Sequence, residues 1–182
     1  VAPAQPRRRD VSLIIGGARS GKSRFAEGLA TATGFSVAYV ATARSEDAEM
    51  HERIARHRAD RPASWTTIDA PLELARAIAV EAAPTRIVLV DCLTLWLANV
   101  MLGDLDVDHE VAALLAALDS AAGPVVLVSN EVGYGIVPDN ALARAFRDHQ
   151  GRLNQRVAGL ASRVTLVAAG LPLDLKLPRQ AA

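Results

Sequence analysis

The sequence predicts an α/β fold, a mainly parallel sheet flanked by helices. Three observations carry that prediction. Short runs rich in Val, Ile and Leu alternate with longer stretches of helical period along the chain. The first run leads without a gap into a glycine-rich turn that opens a helical stretch. Apolar residues make up 51% of the chain and aromatics only 4%. The core is therefore aliphatic, as suits strands buried on both faces.

The elements follow in order. Residues 11–15 form the first apolar run, and helical spacing begins at 22 and continues to 32. A second run at 37–41 precedes a helical stretch at 47–58 and another at 72–82. A third run, 87–91, leads into helical stretches at 93–102 and 109–121. The run at 125–129, a helical stretch at 140–161 and a last run at 164–168 complete the pattern. Runs this short, punctuated by polar and glycine-containing turns, read as strands. Strands alternating with helices require crossover connections and hence a parallel sheet. On such a sheet ligands sit beyond the carboxyl ends of the strands, so the residues ending each strand are the ones to read for chemistry. The alternation spans 11–177 as a single domain, and the Pro/Arg-rich start (1–10) and the last residues (178–182) read as flexible tails.

Composition excludes several functions. Lys plus Arg equals Asp plus Glu, 20 against 20, so nothing draws the whole molecule toward nucleic acid or an anionic membrane. Any anion site must be local. Cys92 is the only cysteine; it allows no internal disulfide and no thiolate metal cluster. No apolar run approaches the ~20 residues that span a bilayer. A cytoplasmic protein is expected.

The local anion site is written in one segment. Gly16-Gly17-Ala18-Arg19-Ser20-Gly21-Lys22-Ser23 fits G-x-x-x-x-G-K-[ST], with a buried strand before it and a helix after it. Consecutive N–H groups of such a turn point at phosphate oxygens, and the helix adds its positive end. Lys22 is placed to reach the β- and γ-phosphates and Ser23 to hold Mg²⁺ through its hydroxyl. The pattern is that of a P-loop NTPase. A metal there needs a carboxylate, and Asp91 ends the run Ile87-Val88-Leu89-Val90 as a metal-binding strand would. The competing reading makes Asp91 a cap for the helix that follows. Cys92 beside it reads as a small core residue rather than a nucleophile.

A phosphate cradle names no substrate, but further fragments do. The cradle continues through Arg24, Ala41-Thr42-Ala43, Asp47, Glu49-Met50, Arg53-Ile54, His57-Arg58, Arg61-Pro62 and Trp65. Later come Asn130-Glu131-Val132-Gly133, Gly135-Ile136-Val137-Pro138, Arg144, Phe146-Arg147-Asp148, Gly151-Arg152 and Asn154-Gln155. In this order and spacing they resemble the bifunctional adenosylcobinamide kinase/adenosylcobinamide-phosphate guanylyltransferases of cobalamin biosynthesis, from residue 11 to about residue 176.

The resemblance implies two reactions. A nucleoside triphosphate, ATP or GTP, phosphorylates the aminopropanol hydroxyl of adenosylcobinamide. GTP then gives GMP to a histidine, and adenosylcobinamide phosphate takes the GMP to form adenosylcobinamide-GDP. The family's histidine lies in Arg-Ile-x-x-His-Arg, which here is Arg53-Ile54-Ala55-Arg56-His57-Arg58. Imidazole suits the task, because with a reference pKa of ~6.5 a ring nitrogen is largely unprotonated at neutral pH. The cluster Arg53, Arg56, Arg58 and Arg61 could neutralise a triphosphate. His51 is the chief rival to His57; His109 and His149 read as structural.

Other contacts carried over by the resemblance are Ala41, Thr42 and Ala43, through backbone groups and the Thr42 hydroxyl, and the guanine-nucleotide segment Arg58-Ala59-Asp60-Arg61. Asp60 could accept from a guanine edge or simply end a helix before Pro62. Asp69 occupies a position that is acidic in the family, commonly Glu, so its reach here is shorter. Glu131 is the candidate for handling the substrate hydroxyl proton or orienting water on the metal; a loop carboxylate bracing Arg144 or Arg147 is the equal alternative. Polar groups between Arg144 and Gln155 could contact the corrinoid. The resemblance also implies a homo-oligomer, with a trimer as its form. Two other readings compete: a plain P-loop small-molecule kinase, which leaves the His57 segment without a role, and a non-catalytic nucleotide-binding module.

Overall fold

The computed structural model describes residues 10–44 and 62–178. Among these, the strands are β1 Val11–Gly16, β2 Ser36–Ala41, β3 Thr66–Asp69, β4 Arg86–Asp91, β5 Val125–Asn130, β6 Arg163–Ala168 and β7 Leu171–Lys176. The helices are α1 Lys22–Ala32, α2 Leu74–Glu81, α3 Leu93–Leu102, α4 Val107–Ser120 and α5 Ala141–Leu160. One sheet runs in the order β3-β2-β4-β5-β1-β6-β7. Its strands pair in parallel except β7, which returns antiparallel beside β6. This is the mainly parallel α/β P-loop fold that the sequence predicts. The two tails lie outside the described residues except for Asp10 and Pro178.

Period-two alternation sends the strands' side chains into two separate cores. Ala38, Val40, Val88, Val90, Val125 and Leu127 face one side, under α2, α3, α4 and α5. Val37, Tyr39, Ile87, Leu89, Val126 and Val128 face the other, with Ala26 and Ala30 of α1. The same phase, carried to the strand ends, puts Asp91 and Asn130 on the α1 side and Ser129 on the α5 side. The face bearing the phosphate loop's helix thus also receives the acid that ends β4.

Two strands lie outside the runs read from the sequence. Thr66–Asp69 is an edge strand with only Ile68 as a large apolar residue, so no buried run marks it. Leu171–Lys176 alternates Leu with Pro, Asp and Lys after a tight turn at Ala169 and Gly170, both with positive φ. That is a hairpin pattern, and Pro172 is tolerated because the strand is at the sheet edge. Helix α4 starts two residues earlier than read, since Asp106 caps it by accepting from the His109 N–H.

Candidate active site

The phosphate loop joins β1 to α1 and owes its shape to small residues. Gly21 sits at φ 94°, just before the helix, a conformation that a Cβ penalises. A Cβ on Gly16 would collide with the Val167 carbonyl and come within 2.6 Å of Ser20 Oγ. The hairpin turn between β6 and β7 closes the loop's back: Gly170 N–H donates to the Ser20 carbonyl at 2.8 Å. Arg19 takes a left-handed φ of 56° with its side chain exposed. Ser20 Oγ is buried without a partner among the described residues. An orphaned hydroxyl lining a turn of N–H donors fits a cradle for an anion.

Lys22 is only 8% exposed. Its stem packs into the fold, and its Nζ donates to the Gly17 carbonyl across the loop at 3.0 Å. The ammonium is therefore held over the cradle by the loop itself. Ser23 follows it in the first turn of α1, partly exposed.

Asp91 ends β4 beside this loop. Tyr39, buried on β2, donates its hydroxyl to Asp91 Oδ2 at 2.9 Å, and Trp65 stacks on the Tyr39 ring. The helix after Asp91 is capped by Cys92 with no side-chain bond, so the capping alternative for Asp91 is not the arrangement found. Cys92 is buried, and its thiol is pushed up to about 11 by that burial and then by the neighbouring Asp91 charge. It is a core residue, inert at neutral pH. Ser23 and Asp91 offer only oxygen donors, which suit a hard cation such as Mg²⁺. Among the described residues no group of three His, Cys, Asp or Glu could hold a metal. A metal here would take most of its ligands from phosphate and water, as Mg²⁺ does.

The Thr42 hydroxyl, a candidate for nucleotide contact, is bonded inside the fold. It donates to the Cys92 carbonyl at 2.7 Å and accepts from the Cys92 N–H at 2.9 Å. Its carbonyl accepts from Asn99 Nδ2 at 2.8 Å, and the Ala41 carbonyl accepts from Ala70 N–H. Thr42 braces β2 against β4, because a fully buried hydroxyl must find partners where it lies. Of the three residues, Ala43 retains partial exposure. Asp69 ends β3 level with Ala41 and is exposed at the same edge.

Glu131 opens the loop after β5. Its N–H donates to the Gly16 carbonyl at 3.0 Å, which ties it to the start of the phosphate loop. Its Oε1 accepts from Gly133 N–H. Arg144 bonds the Pro138 and Asp139 carbonyls instead, and Arg147 pairs with Asp148, so neither is the partner that the bracing alternative gave Glu131. The polar residues expected to meet a corrinoid divide. Gln150 and Asn154 are buried against β5, whereas Arg147 and Arg152 keep some exposure.

The structure thus gathers residues 16–23, Asp69, Asp91 and Glu131 along one carboxyl edge of the sheet. His57, Arg58, Ala59, Asp60 and Arg61, with His51, Arg53 and Arg56, lie outside the described residues. Tyr39 was missed by the sequence reading; its signal is a tyrosine in phase with Val37 and Ala41 on a buried strand.

Comparison with known proteins points one way. The family model described as cobinamide kinase / cobinamide phosphate guanyltransferase matches residues 12–175. The bifunctional adenosylcobalamin biosynthesis protein CobP of Pseudomonas aeruginosa is 52% identical over 166 residues, covering 90% of this chain and 96% of that protein. The CobU protein of Salmonella typhimurium, of the same description, is 41% identical over 179 residues, covering 90% and 98%. Among solved structures, a Pyrococcus horikoshii protein superposes with a TM-score of 0.56 at 7% identity, covering 94% of this chain and 88% of that one, a likeness of fold alone.

Proposed function

The chain belongs to the cobinamide kinase / cobinamide phosphate guanyltransferase family, and from that premise we propose that it phosphorylates adenosylcobinamide and then converts the product to adenosylcobinamide-GDP. The observation that carries this is the joining, within one family match over 12–175, of an intact phosphate cradle and the Arg53–Arg58 histidine segment. ATP or GTP serves the first step and GTP the second.

In the kinase step the aminopropanol hydroxyl attacks the γ-phosphorus. The new O–P bond replaces the bond to the β,γ-bridging oxygen, and the nucleoside diphosphate leaves. The cradle N–H groups and Lys22 hold the phosphates in line, which is most of what phosphoryl transfer asks of a protein. Glu131 accepts the hydroxyl proton; its hydrogen bond to Gly16 keeps its backbone in register with the cradle. Mg²⁺, held by Ser23 and Asp91, would neutralise charge on the phosphates. In the second step a His57 ring nitrogen attacks the α-phosphorus of GTP and pyrophosphate leaves. A phosphate oxygen of adenosylcobinamide phosphate then displaces the histidine. Arg53, Arg56, Arg58 and Arg61 spread the triphosphate's charge, and Ala41, Thr42 and Ala43, with Ala59, Asp60 and Asp69, are further candidates for nucleotide contact. A cytoplasmic homo-oligomer, a trimer in form, completes the reading. Among the described residues no helix is long and apolar enough to cross a membrane.

The test uses GTP labelled at the α-phosphate. Wild-type protein should hold label through alkali and lose it in acid, as a phosphoramidate does. His57→Ala should take up none and make no adenosylcobinamide-GDP, while still phosphorylating adenosylcobinamide. Lys22→Ala should lose the phosphorylation by at least ~100-fold. Stable label on the His57→Ala protein would sink the histidine assignment. No label on wild type under any condition would leave a plain kinase.

A further inference from the structure

Behind Glu131 lies a set of buried polar side chains that neither reaction uses directly. Ser129 and Gln150 are fully buried, Asn154 is 7% exposed and Thr94 is 9% exposed. Their bonds have one consistent direction. Gln150 Nε2 donates to Ser129 Oγ at 2.9 Å and to Asn154 Oδ1 at 3.0 Å. Ser129 Oγ donates to Asn154 Oδ1 at 2.7 Å. With its oxygen accepting twice, Asn154 must turn its Nδ2 outward, where it donates to the Asn130 carbonyl at 3.1 Å. The other backbone polar group of the same residue, the Asn130 N–H, donates to Thr94 Oγ1 at 2.8 Å.

Both backbone polar groups of Asn130 are thus held by side chains from two different helices, α3 and α5. Asn130 lies level with Gly16 in the β1–β5 pairing, and the next residue, Glu131, is bonded to Gly16. Thr94 itself stands three residues after Asp91. Gln150 Oε1 is left buried with no partner among the described residues, an arrangement that costs stability. An apolar helix face would pack here without that cost.

We propose that Thr94, Asn154 and Gln150 are positioning residues that clamp Asn130, and through it hold Glu131 in register with the phosphate loop and with Asp91. The clamp rests on the function proposed above for its kinetic consequence, but not for its structural one. Errors of about 1 Å in such placement can cost ~100-fold in rate, which is reason enough for a buried polar cluster at this point.

The experiment uses the full chain and three substitutions. Thr94→Val keeps the side-chain shape and removes the acceptor. Asn154→Asp keeps the shape and sets a carboxylate against the Asn130 carbonyl. Thr94→Ser restores the hydroxyl. In the absence of nucleotide, amide exchange at Asn130 and Glu131 should quicken at least ~10-fold in the first two variants, with Leu127 of the same strand unchanged. With nucleotide and adenosylcobinamide, kcat for phosphorylation should fall at least ~10-fold while the nucleotide KM moves less than ~3-fold. Thr94→Ser should return both to near wild type. Unchanged exchange at Asn130 and Glu131 overturns the clamp. So does a kcat that falls only in proportion to the folded fraction, since that is a purely structural role. A wild-type chain that does not phosphorylate adenosylcobinamide refutes the proposed function instead, and the exchange measurement still decides the clamp.

Discussion

At the scale of single residues, neighbours decide roles that residue type leaves open. Cys92 and Asp91 are adjacent, yet one is sealed in the core and the other ends a strand at the site edge. Burial and the Asp91 charge push the Cys92 thiol up to about 11, so at pH 7.5 less than about one part in a thousand is thiolate. Iodoacetamide at that pH should therefore leave the folded protein unmodified and alkylate Cys92 only after denaturation. Rapid alkylation of the native chain, read by mass, would show that the residue is not where the fold puts it. Thr42 makes the same point for a hydroxyl, and Lys22 for a charge. Both are polar and buried, and both bond main-chain atoms, Thr42 those of Cys92 and Lys22 the Gly17 carbonyl.

At the scale of elements, the β6–β7 hairpin closes the phosphate loop from behind, and one carboxylate fastens it. Asp174 on β7 accepts from both Arg163 Nε and Nη2 at 3.1 Å, and from the Thr165 hydroxyl at 2.6 Å. The Arg163 hydrogen bonds, with that of Thr165, hold its pKa below the usual carboxylate value. A depressed folded-state pKa contributes stability above the unfolded value, near ~3.9. That contribution is lost as pH falls through the lower folded value. Amide protection in β7 should therefore fall selectively below about pH 4, ahead of β1 and β5. Asp174→Asn should abolish that acid step and show the looser hairpin already at pH 7. An acid step of wild-type size in the variant would assign it to other carboxylates. The hairpin was open to sequence reading through its alternation. Strand β3 was not, because four residues with one large apolar side chain carry no period.

At the scale of the whole molecule, the apolar surface is unevenly covered. Leu171, Leu173, Leu175 and Leu177 alternate along the edge strand β7 and its exit, each more than half exposed. Tyr134, Ile136 and Val137 stand exposed on the loop after Glu131. Contiguous apolar surface on an edge strand is a liability unless something covers it. The homo-oligomer proposed above would cover it with further copies of the chain. Light scattering should then give a particle larger than the 19.2 kDa of one chain, with three copies as the expected form. Replacing Leu173 and Leu175 by Lys should dissociate it without unfolding the monomer. A wild-type particle of a single chain's mass would refute the homo-oligomer, and a variant that stays assembled would move the interface elsewhere.

The sequence by itself determined the phosphate cradle, the succession of buried strands along the chain and the acid at the end of β4. These are local signals: a contiguous motif, and a period of two or 3.6 that burial imposes on neighbouring residues. It also supplied the His57 segment, by resemblance and not by geometry. Tertiary structure alone decided which polar residues are spent on the fold. Gln150 and Asn154 on a helix look like ligand contacts in one dimension. Only the packing of α5 on β5 turns them inward, Gln150 to Ser129 and Asn154 to Asn130, 21 and 24 residues away in the chain. Tyr39 meets Asp91 across 52 positions and Thr42 meets Cys92 across 50. No periodicity reports such pairs, because the sheet's strand order, and not sequence distance, sets who is buried beside whom.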